Sequence, residues 1–176
     1  MLDEIEKLDS TFNKELFISK VNNIFISMLM AIVTQDIDNV YSSLGEEMRN
    51  KIIQRIDSLK NNNEYQLYDE LNVKDTRIVD AKITDDMYYI YVHLTSRYLD
   101  YKLDANKNYK SGNREFRVTR DNSLVFRCKR NHKDLGSVTH CPFCGASVDY
   151  NYTGLCPYCR KQFPKEDYDY VLIDWV

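Results

Sequence analysis

Two short stretches with one pattern carry the most specific signal in this chain, HCPFCG at residues 140–145 and CPYCR at residues 156–160. In each stretch a proline and an aromatic residue separate two cysteines, and eleven residues lie between Cys144 and Cys156. A Cys-x-x-Cys turn directs two thiolates at one point, so two such turns complete a tetrahedral shell of four sulfurs. The spacing therefore predicts a structural metal site of the zinc-ribbon type.

The expected metal is one structural Zn²⁺, since four thiolates in a closed shell suit zinc and leave no position for a catalytic water. His132 and His140 lie nearby, but four cysteines already complete the shell. The predicted ligands are Cys141, Cys144, Cys156 and Cys159.

Other uses of the cysteines fit less well. Two disulfides would suit a secreted protein, but the acidic start of the chain lacks the basic and apolar segments of a secretory signal. A thioredoxin-like redox site needs one Cys-x-x-Cys at a helix start, not a pair of knuckles that contain proline. Iron in a rubredoxin-type site uses similar knuckles, and spacing alone leaves that alternative open.

The residues that follow the two knuckles differ. Gly145 follows the first, where a positive φ is often required, whereas Arg160 occupies the equivalent position in the second. We therefore expect the second knuckle to be strained or to turn differently.

Length and composition indicate one ordinary globular domain with a small appendage. The chain has 176 residues, of which 43% are hydrophobic and 12% aromatic. The net charge of −3 gives no general case for nucleic-acid binding. The charge is uneven, since residues 97–133 hold eleven Lys and Arg against four Asp and Glu.

The first sixty residues show helical periodicity. A helix over about 12–34 is predicted, capped by Asp9, Ser10 or Thr11, and a short helix ending at Gly45 follows. A third helix, over 46–60, has one apolar face. The apolar positions are Leu16, Val21, Ile24, Phe25, Met28, Leu29 and Ile32 in the first helix and Met48, Ile52, Ile56 and Leu59 in the third.

From Tyr65 onward the apolar period changes to two, which indicates strands. A tight turn at Asp121 and Asn122 is expected to divide the fourth and fifth strands. Helices followed by antiparallel strands predict an α+β fold, with N-terminal helices packed on one face of a curved antiparallel sheet and the ribbon inserted before the last strand. The predicted strands cover residues 67–74, 77–83, 88–101, 114–120, 123–129 and 168–176.

Several stretches resemble the conserved domain of the mitochondrial import-motor tether, the forty-four-kilodalton subunit of the inner-membrane translocase. They are the helical segment 17–44, IYVHL at 90–94 and LVFR at 124–127. The chain is also similar to bacterial relatives in which a two-knuckle ribbon follows the phenylalanine–arginine strand. A segment such as YDYVL at 168–172 then closes the domain.

This resemblance implies a cone-shaped α+β body of the nuclear-transport-factor-two type, formed by residues 1–130 and 168–176, with the ribbon at 131–167. It also implies a transport-associated, non-enzymatic binding or adaptor protein that holds a protein segment or a lipid-like ligand. The longest apolar run, residues 24–33, is half the length of a membrane span, so we expect a cytoplasmic protein, at most peripheral to a membrane.

Two groups of residues are candidate sites beyond the cysteines. His93 and tyrosines on the same predicted strand could line a pocket, although a strand histidine is more often structural. A basic group could bind an anionic partner, although charge commonly protects a strand edge. The pocket candidates are Tyr89, Tyr91, His93 and Tyr98, and the basic group is Arg114, Arg117, Arg120, Arg127, Lys129 and Arg130.

The alternative function is a small cytoplasmic inhibitor or immunity-type protein that blocks a partner through its acidic helical half. A pocket enzyme that uses His93 is a third hypothesis. We expect a protein partner and no nucleic-acid partner, because the aromatic and basic residues form no known RNA-binding motif. The sequence does not indicate the oligomeric state.

Overall fold

The computed structural model describes residues 2–10, 12–130, 138–141, 143–149 and 155–176. Three α-helices come first in the described chain: α1 (Leu2–Leu8), α2 (Lys14–Thr34) and α3 (Glu46–Asn61), with a 3₁₀ turn at Tyr41–Ser43 before α3. The strands are β1 (Tyr65–Ile83), β2 (Met87–Leu103), β3 (Tyr109–Lys129), β4 (Val138–His140), β5 (Ser147–Asp149) and β6 (Val171–Trp175). A second 3₁₀ turn, Lys165–Asp167, precedes β6. The predicted α+β fold is confirmed.

The cap of α2 differs from the prediction. Asn13 is the N-cap, and its side-chain oxygen accepts a hydrogen bond from the backbone N–H of Leu16 at 2.9 Å. Asp9 and Ser10 lie before this position, and Thr11 lies outside the described residues. Asn, Asp, Ser and Thr are all good N-caps, so propensity alone could not choose among them.

Gly45 begins a helix and does not end one, so the predicted C-cap was wrong. Its backbone is extended, with φ −69° and ψ 166°, and it is the N-cap of α3. The Gly45 N–H donates to the carbonyl of Leu172 at 2.7 Å. A Cβ at this position would lie 2.7 Å from the side chain of Ile173, so glycine allows β6 to pass close to the start of α3.

Helix α2 is the main apolar element on the helical side of the fold. It is also long and apolar enough to cross a membrane by length and composition alone, which the ten-residue apolar run did not indicate. Leu16, predicted to lie on the buried stripe, is 70% exposed in the first turn. The buried residues of α2 are Phe17, Val21, Ile24, Phe25, Met28, Leu29, Ala31 and Ile32.

The main sheet is antiparallel throughout, with strand order β1-β2-β3-β6. The two short strands predicted at 67–74 and 77–83 are parts of the single strand β1. Three register shifts interrupt the pairing of β1 with β2, between Asp69 and Asn72, Val73 and Asp75, and Ile78 and Asp80. Such bulges bend a long strand and increase its twist, which curves the sheet around the helices.

The predicted turn at Asp121 and Asn122 does not exist, because β3 runs unbroken for 21 residues. Asn122 is buried, and its amide donates to the Leu94 carbonyl at 3.0 Å and to the Ser96 hydroxyl at 3.1 Å. The Asn122 side-chain oxygen accepts a bond from the Trp175 indole at 2.9 Å. An Asp-Asn pair normally favours turns, but these tertiary hydrogen bonds stabilise Asn122 within the strand.

Two separate groups of buried residues stabilise the chain. The larger lies between the helices and one face of the sheet, and includes Phe25, Phe126 and Leu172. The smaller consists of Cys141, Val148, Cys156 and Phe163, beside the two-stranded sheet formed by β4 and β5. Below, the body means the described residues of 2–130 and 168–176, and the ribbon means those of 138–167. The domain division stays a prediction.

Candidate metal centre and binding pocket

The two knuckles have the same backbone turn. Gly145 donates its N–H to the carbonyl of Cys141 at 2.9 Å, and Arg160 donates to the carbonyl of Cys156 at the same distance. Both donors are in the left-handed region, with φ of 73° for Gly145 and 59° for Arg160. The second knuckle therefore does not turn differently. It places a non-glycine residue, Arg160, in a conformation that L-residues rarely adopt, which agrees with the expected strain in this knuckle.

These turns bring the four cysteine sulfurs together, all within 4.8 Å of one another. The Sγ atoms of Cys141 and Cys159 are 3.7 Å apart, as are those of Cys144 and Cys156. A disulfide bond requires about 2.05 Å, so these pairs are not disulfides. Metal–sulfur bonds of about 2.3 Å in a tetrahedron give sulfur–sulfur edges of about 3.8 Å. The cluster thus has dimensions that could hold a metal ion.

The environment of Cys141 favours its thiolate form. Burial by itself raises the pKa of the Cys141 thiol, but hydrogen bonds from the backbone N–H groups of Cys144 and Phe143 outweigh this effect and lower the pKa to about 7. The Phe143 N–H lies 3.4 Å from the sulfur. A thiolate is the form that coordinates a metal. For Cys144 in the same knuckle, a hydrogen bond from the Ala146 N–H lowers the thiol pKa, but burial and hydrogen bonds with the other cysteine sulfurs outweigh it and raise the pKa to about 11, so only one of the two thiols favours the thiolate form. His140 lies on β4 outside the cluster, and His132 lies outside the described residues.

The four predicted pocket residues are not brought together. Tyr98 lies on the face of β2 that carries the buried residues Ile90 and Leu94. Tyr89, Tyr91 and His93 alternate with those residues, so they project from the opposite face. Successive side chains of a strand point to opposite faces of the sheet. Residues that are neighbours in sequence therefore cannot line the same pocket, whereas residues two apart can.

His93 has a surface environment. Its Nε2 lies 3.2 Å from a carboxylate oxygen of Asp121, and its side chain is 26% exposed. The Thr95 hydroxyl donates to the same Asp121 oxygen at 2.7 Å. This arrangement is a cross-strand polar pair on the outside of the sheet.

A different pocket forms between α3 and the inner face of the sheet, with a volume of about 410 Å³. We call it the α3–sheet pocket. Only Tyr98 of the predicted pocket residues lines it. The residues that line this pocket come from α3, β1, β2, β3 and the end of the chain at β6. Because these elements are far apart in sequence, no local sequence pattern could identify the set. The lining residues are Lys51, Ile52, Arg55, Tyr68, Tyr98, Asp100, Arg120, Asp121, Asn122, Trp175 and Val176.

Two tyrosines in edge-to-face contact line the α3–sheet pocket. The rings of Tyr68 and Tyr98 meet edge to face, with centroids 5.2 Å apart. Burial, together with Asp100, raises the pKa of both phenols, so both hydroxyls stay protonated at neutral pH. The Asp100 carboxylate accepts hydrogen bonds from Gln66 at 2.9 Å and Arg120 at 3.1 Å. This side of the pocket therefore combines two aromatic rings with a carboxylate whose hydrogen bonds hold it in place.

The predicted basic group does not form one free cationic face. It lies along a single strand and its exit, and four of its members pair with carboxylates. Arg130 donates to the Thr84 carbonyl at 3.1 Å, and Arg114 is exposed. The pairs are Arg117 with Glu70, Arg120 with Asp100, Lys129 with Asp167, and Arg127 with both Glu47 and Glu166.

Arg127 connects the ribbon to the body. Its side chain is 19% exposed and contacts Glu47 on α3, at 2.9 Å, and Glu166 in the turn that leads out of the ribbon. Next to it, Lys129 pairs with Asp167 in the same turn. These ion pairs therefore attach the end of the ribbon to the body, and anion binding by the basic group stays a prediction.

Comparison with known proteins supports the resemblance to the import-motor tether domain, from which the fold of the body was predicted. The family described as the Tim44-like domain matches residues 1–132. No curated protein matches the chain. Since the match covers most of the chain and nearly all of its helices and long strands, the protein belongs to the Tim44-like domain family.

Proposed function

We propose that this protein is a non-enzymatic binding or adaptor protein, associated with transport, which holds a segment of another protein. Membership of the Tim44-like domain family, which supports a binding role in transport at a coarse level, is the observation that carries this proposal. The α3–sheet pocket supports the finer part, because it is concave, has aromatic walls and contains a few converging polar groups.

The absence of catalysis is part of the proposal. Within the pocket, the Asp100 carboxylate is held by Arg120 and Gln66, which suits a structural or binding role better than that of a free base. Tyr68 and Tyr98 keep their protons because their pKa values are raised. His93, the earlier candidate for acid–base work, lies on the other face of the sheet.

We propose Zn²⁺ as the metal of the ribbon. Four thiolates with edges near those of a tetrahedral zinc–sulfur shell support this choice, and the closed shell assigns the ion a structural role. The four cysteines Cys141, Cys144, Cys156 and Cys159 would be its ligands.

The proposed location is the cytoplasm, with membrane contact at most peripheral. Eight residues of α2 are buried, and they pack into the core of the body. This packing supports α2 as a core helix in water and not as a membrane span.

Site-specific photocrosslinking in cells tests the binding role. A photoreactive phenylalanine analogue would replace Lys51, at the α3–sheet pocket, and in a control would replace Lys60, which is exposed in the last turn of the same helix. We expect discrete protein adducts at position 51 and none at 60. Equal labelling, or none at 51, would contradict the proposal. Capture of a single toxin-like protein whose activity is lost would favour the inhibitor alternative.

A further inference from the structure

The cations around the α3–sheet pocket are not equivalent. Lys51 pairs with Asp174 at 3.2 Å, and Arg120 pairs with Asp100 at 3.1 Å. Arg55 makes no ion pair within the described part of the chain. Among the described residues, one positive charge at the pocket therefore has no paired carboxylate.

Arg55 is nevertheless held in place. Its guanidinium donates to the Tyr68 hydroxyl at 2.7 Å and lies 5.7 Å from the centre of the Trp175 ring. Tyr68 and Trp175 are themselves fixed, by the Tyr98 ring and by the side-chain oxygen of Asn122. A planar guanidinium held by the Tyr68 hydroxyl and lying near the Trp175 ring needs little reorganisation to accept a carboxylate in two parallel hydrogen bonds.

The charge of the pocket selects among anions. A single arginine that has no ion-pair partner among the described residues matches the single charge of a carboxylate. A phosphate group carries more negative charge and would also approach Asp100, which lines the same pocket and repels it.

We propose that the α3–sheet pocket recognises an acidic peptide segment, with Arg55 binding one Asp or Glu carboxylate beside the Tyr68 hydroxyl and the Trp175 ring. This inference rests on the proposed function, because it names the chemistry of the segment that the adaptor holds. A volume of about 410 Å³ accommodates one acidic side chain and its neighbours, and the aromatic walls contact their apolar parts.

Selection from a displayed library of random octapeptides, with the purified zinc-loaded full-length chain as bait, provides the probe. We expect the selected peptides to share an Asp or Glu at one position. The binding of a synthetic selected peptide should weaken about ten- to a hundredfold when that residue becomes Gln or Asn. The affinity of the same peptide should fall by a similar factor for the Arg55→Gln variant. It should fall less for Arg55→Lys, because lysine keeps the positive charge but cannot donate two parallel hydrogen bonds as a guanidinium does.

Arg49→Gln is the matched control. Arg49 lies on the same helix and also stacks on an aromatic ring, 4.4 Å from the centre of Tyr41, but it does not line the α3–sheet pocket. Its replacement should leave peptide affinity unchanged. Thermal melting of all three variants checks that each is folded, and Arg55 is exposed, so we expect folded protein.

The outcomes separate this inference from the proposed function. Selected peptides that bind the pocket without a shared acidic residue, or equally well to Arg55→Gln, overturn the carboxylate inference and leave a peptide-binding adaptor. Selection of no peptide at all overturns both. Stronger binding of inorganic phosphate or of anionic lipid vesicles than of the acidic peptides also overturns the inference.

Discussion

The body and the ribbon are stabilised in different ways. The body buries apolar residues from helices and strands in one continuous core, including Ile5, Met28 and Phe126. In the described part of the ribbon the buried cluster has four members, of which Cys141 and Cys156 belong to the four-cysteine cluster. A segment this small cannot bury enough apolar surface to order itself. A bound metal would supply the stabilisation that the ribbon lacks.

The comparison also shows where the two regions depend on each other. The ribbon lies between β3 and β6, and β6 pairs with β3 in the main sheet. The turn Lys165–Asp167 contacts the body through Glu166 and Asp167. Order in the ribbon therefore affects the approach of β6, while most of the body core does not depend on it.

Loss of a metal ligand should have the largest effect, and only on the ribbon. We expect Cys141→Ser to lower the zinc content from about one ion per chain to near zero. Structural zinc contributes apparent free energies of about 10–16 kcal/mol in small domains, so ribbon amides should then exchange rapidly with solvent. Elemental analysis and hydrogen exchange followed by mass spectrometry measure both effects.

Cys128→Ala is the matched control, because Cys128 is the fifth cysteine and is buried in the core of the body. It should keep the zinc content and the slow exchange of the ribbon. If Cys141→Ser retains a full equivalent of zinc, or if the body core exchanges as fast as the ribbon, the contrast between the regions is wrong.

A smaller effect is expected at the link between the two regions. Arg127→Met leaves Glu47 and Glu166 without their shared partner and should destabilise the protein by about 2 kcal/mol, between the values for buried and exposed ion pairs. Exchange should increase at residues 164–169, with the zinc content unchanged. Urea unfolding and hydrogen exchange measure these changes.

Lys51→Met provides the comparison for Arg127→Met. Lys51 and Asp174 form an ion pair in which both side chains are 52% exposed, so its loss should change stability by less than about 1 kcal/mol. Equal effects of the two substitutions would show that Arg127 does not connect the ribbon to the body.

The smallest effect concerns pH. Burial opposes the charge of Glu47, but hydrogen bonds from its own backbone and from Arg127 outweigh burial and hold the pKa of Glu47 below its ordinary value. A lowered carboxyl pKa adds stability above the unfolded-state pKa, about 4.3, and this stability is lost as the pH falls through the folded-state pKa. The contribution should be below about 1 kcal/mol, because Glu47 is 55% exposed.

The difference in urea midpoint between the wild type and Glu47→Gln should therefore be present at pH 6 and shrink toward pH 3. The wild type and Glu47→Gln have the same cysteines, so any effect of acid on the cysteines cancels when their urea midpoints are subtracted. A difference that grows as the pH falls would contradict the assignment.

The sequence pattern predicted elements correctly where their structure depends only on the spacing of nearby residues. The apolar face of α3, formed by Met48, Ile52, Ile56 and Leu59, is buried as predicted. The four cysteines also cluster as their spacing required, because each knuckle is a short turn whose geometry is local. Predictions failed where a distant element decides: β6 makes Gly45 an N-cap, and Leu94, Ser96 and Trp175 keep Asn122 inside a strand.

The spacing of apolar residues and cysteines was enough to establish helices before strands, an α+β fold and a four-sulfur cluster, since these depend on period and on short turns. Only the folded chain shows which side chains share a space. It separates Tyr98 from His93, pairs most of the basic residues with carboxylates, and leaves Arg55 at the α3–sheet pocket without an ion pair to any described residue. The physical reason is that pockets and ion pairs join residues from separate elements, whose relative positions follow from packing of the whole core.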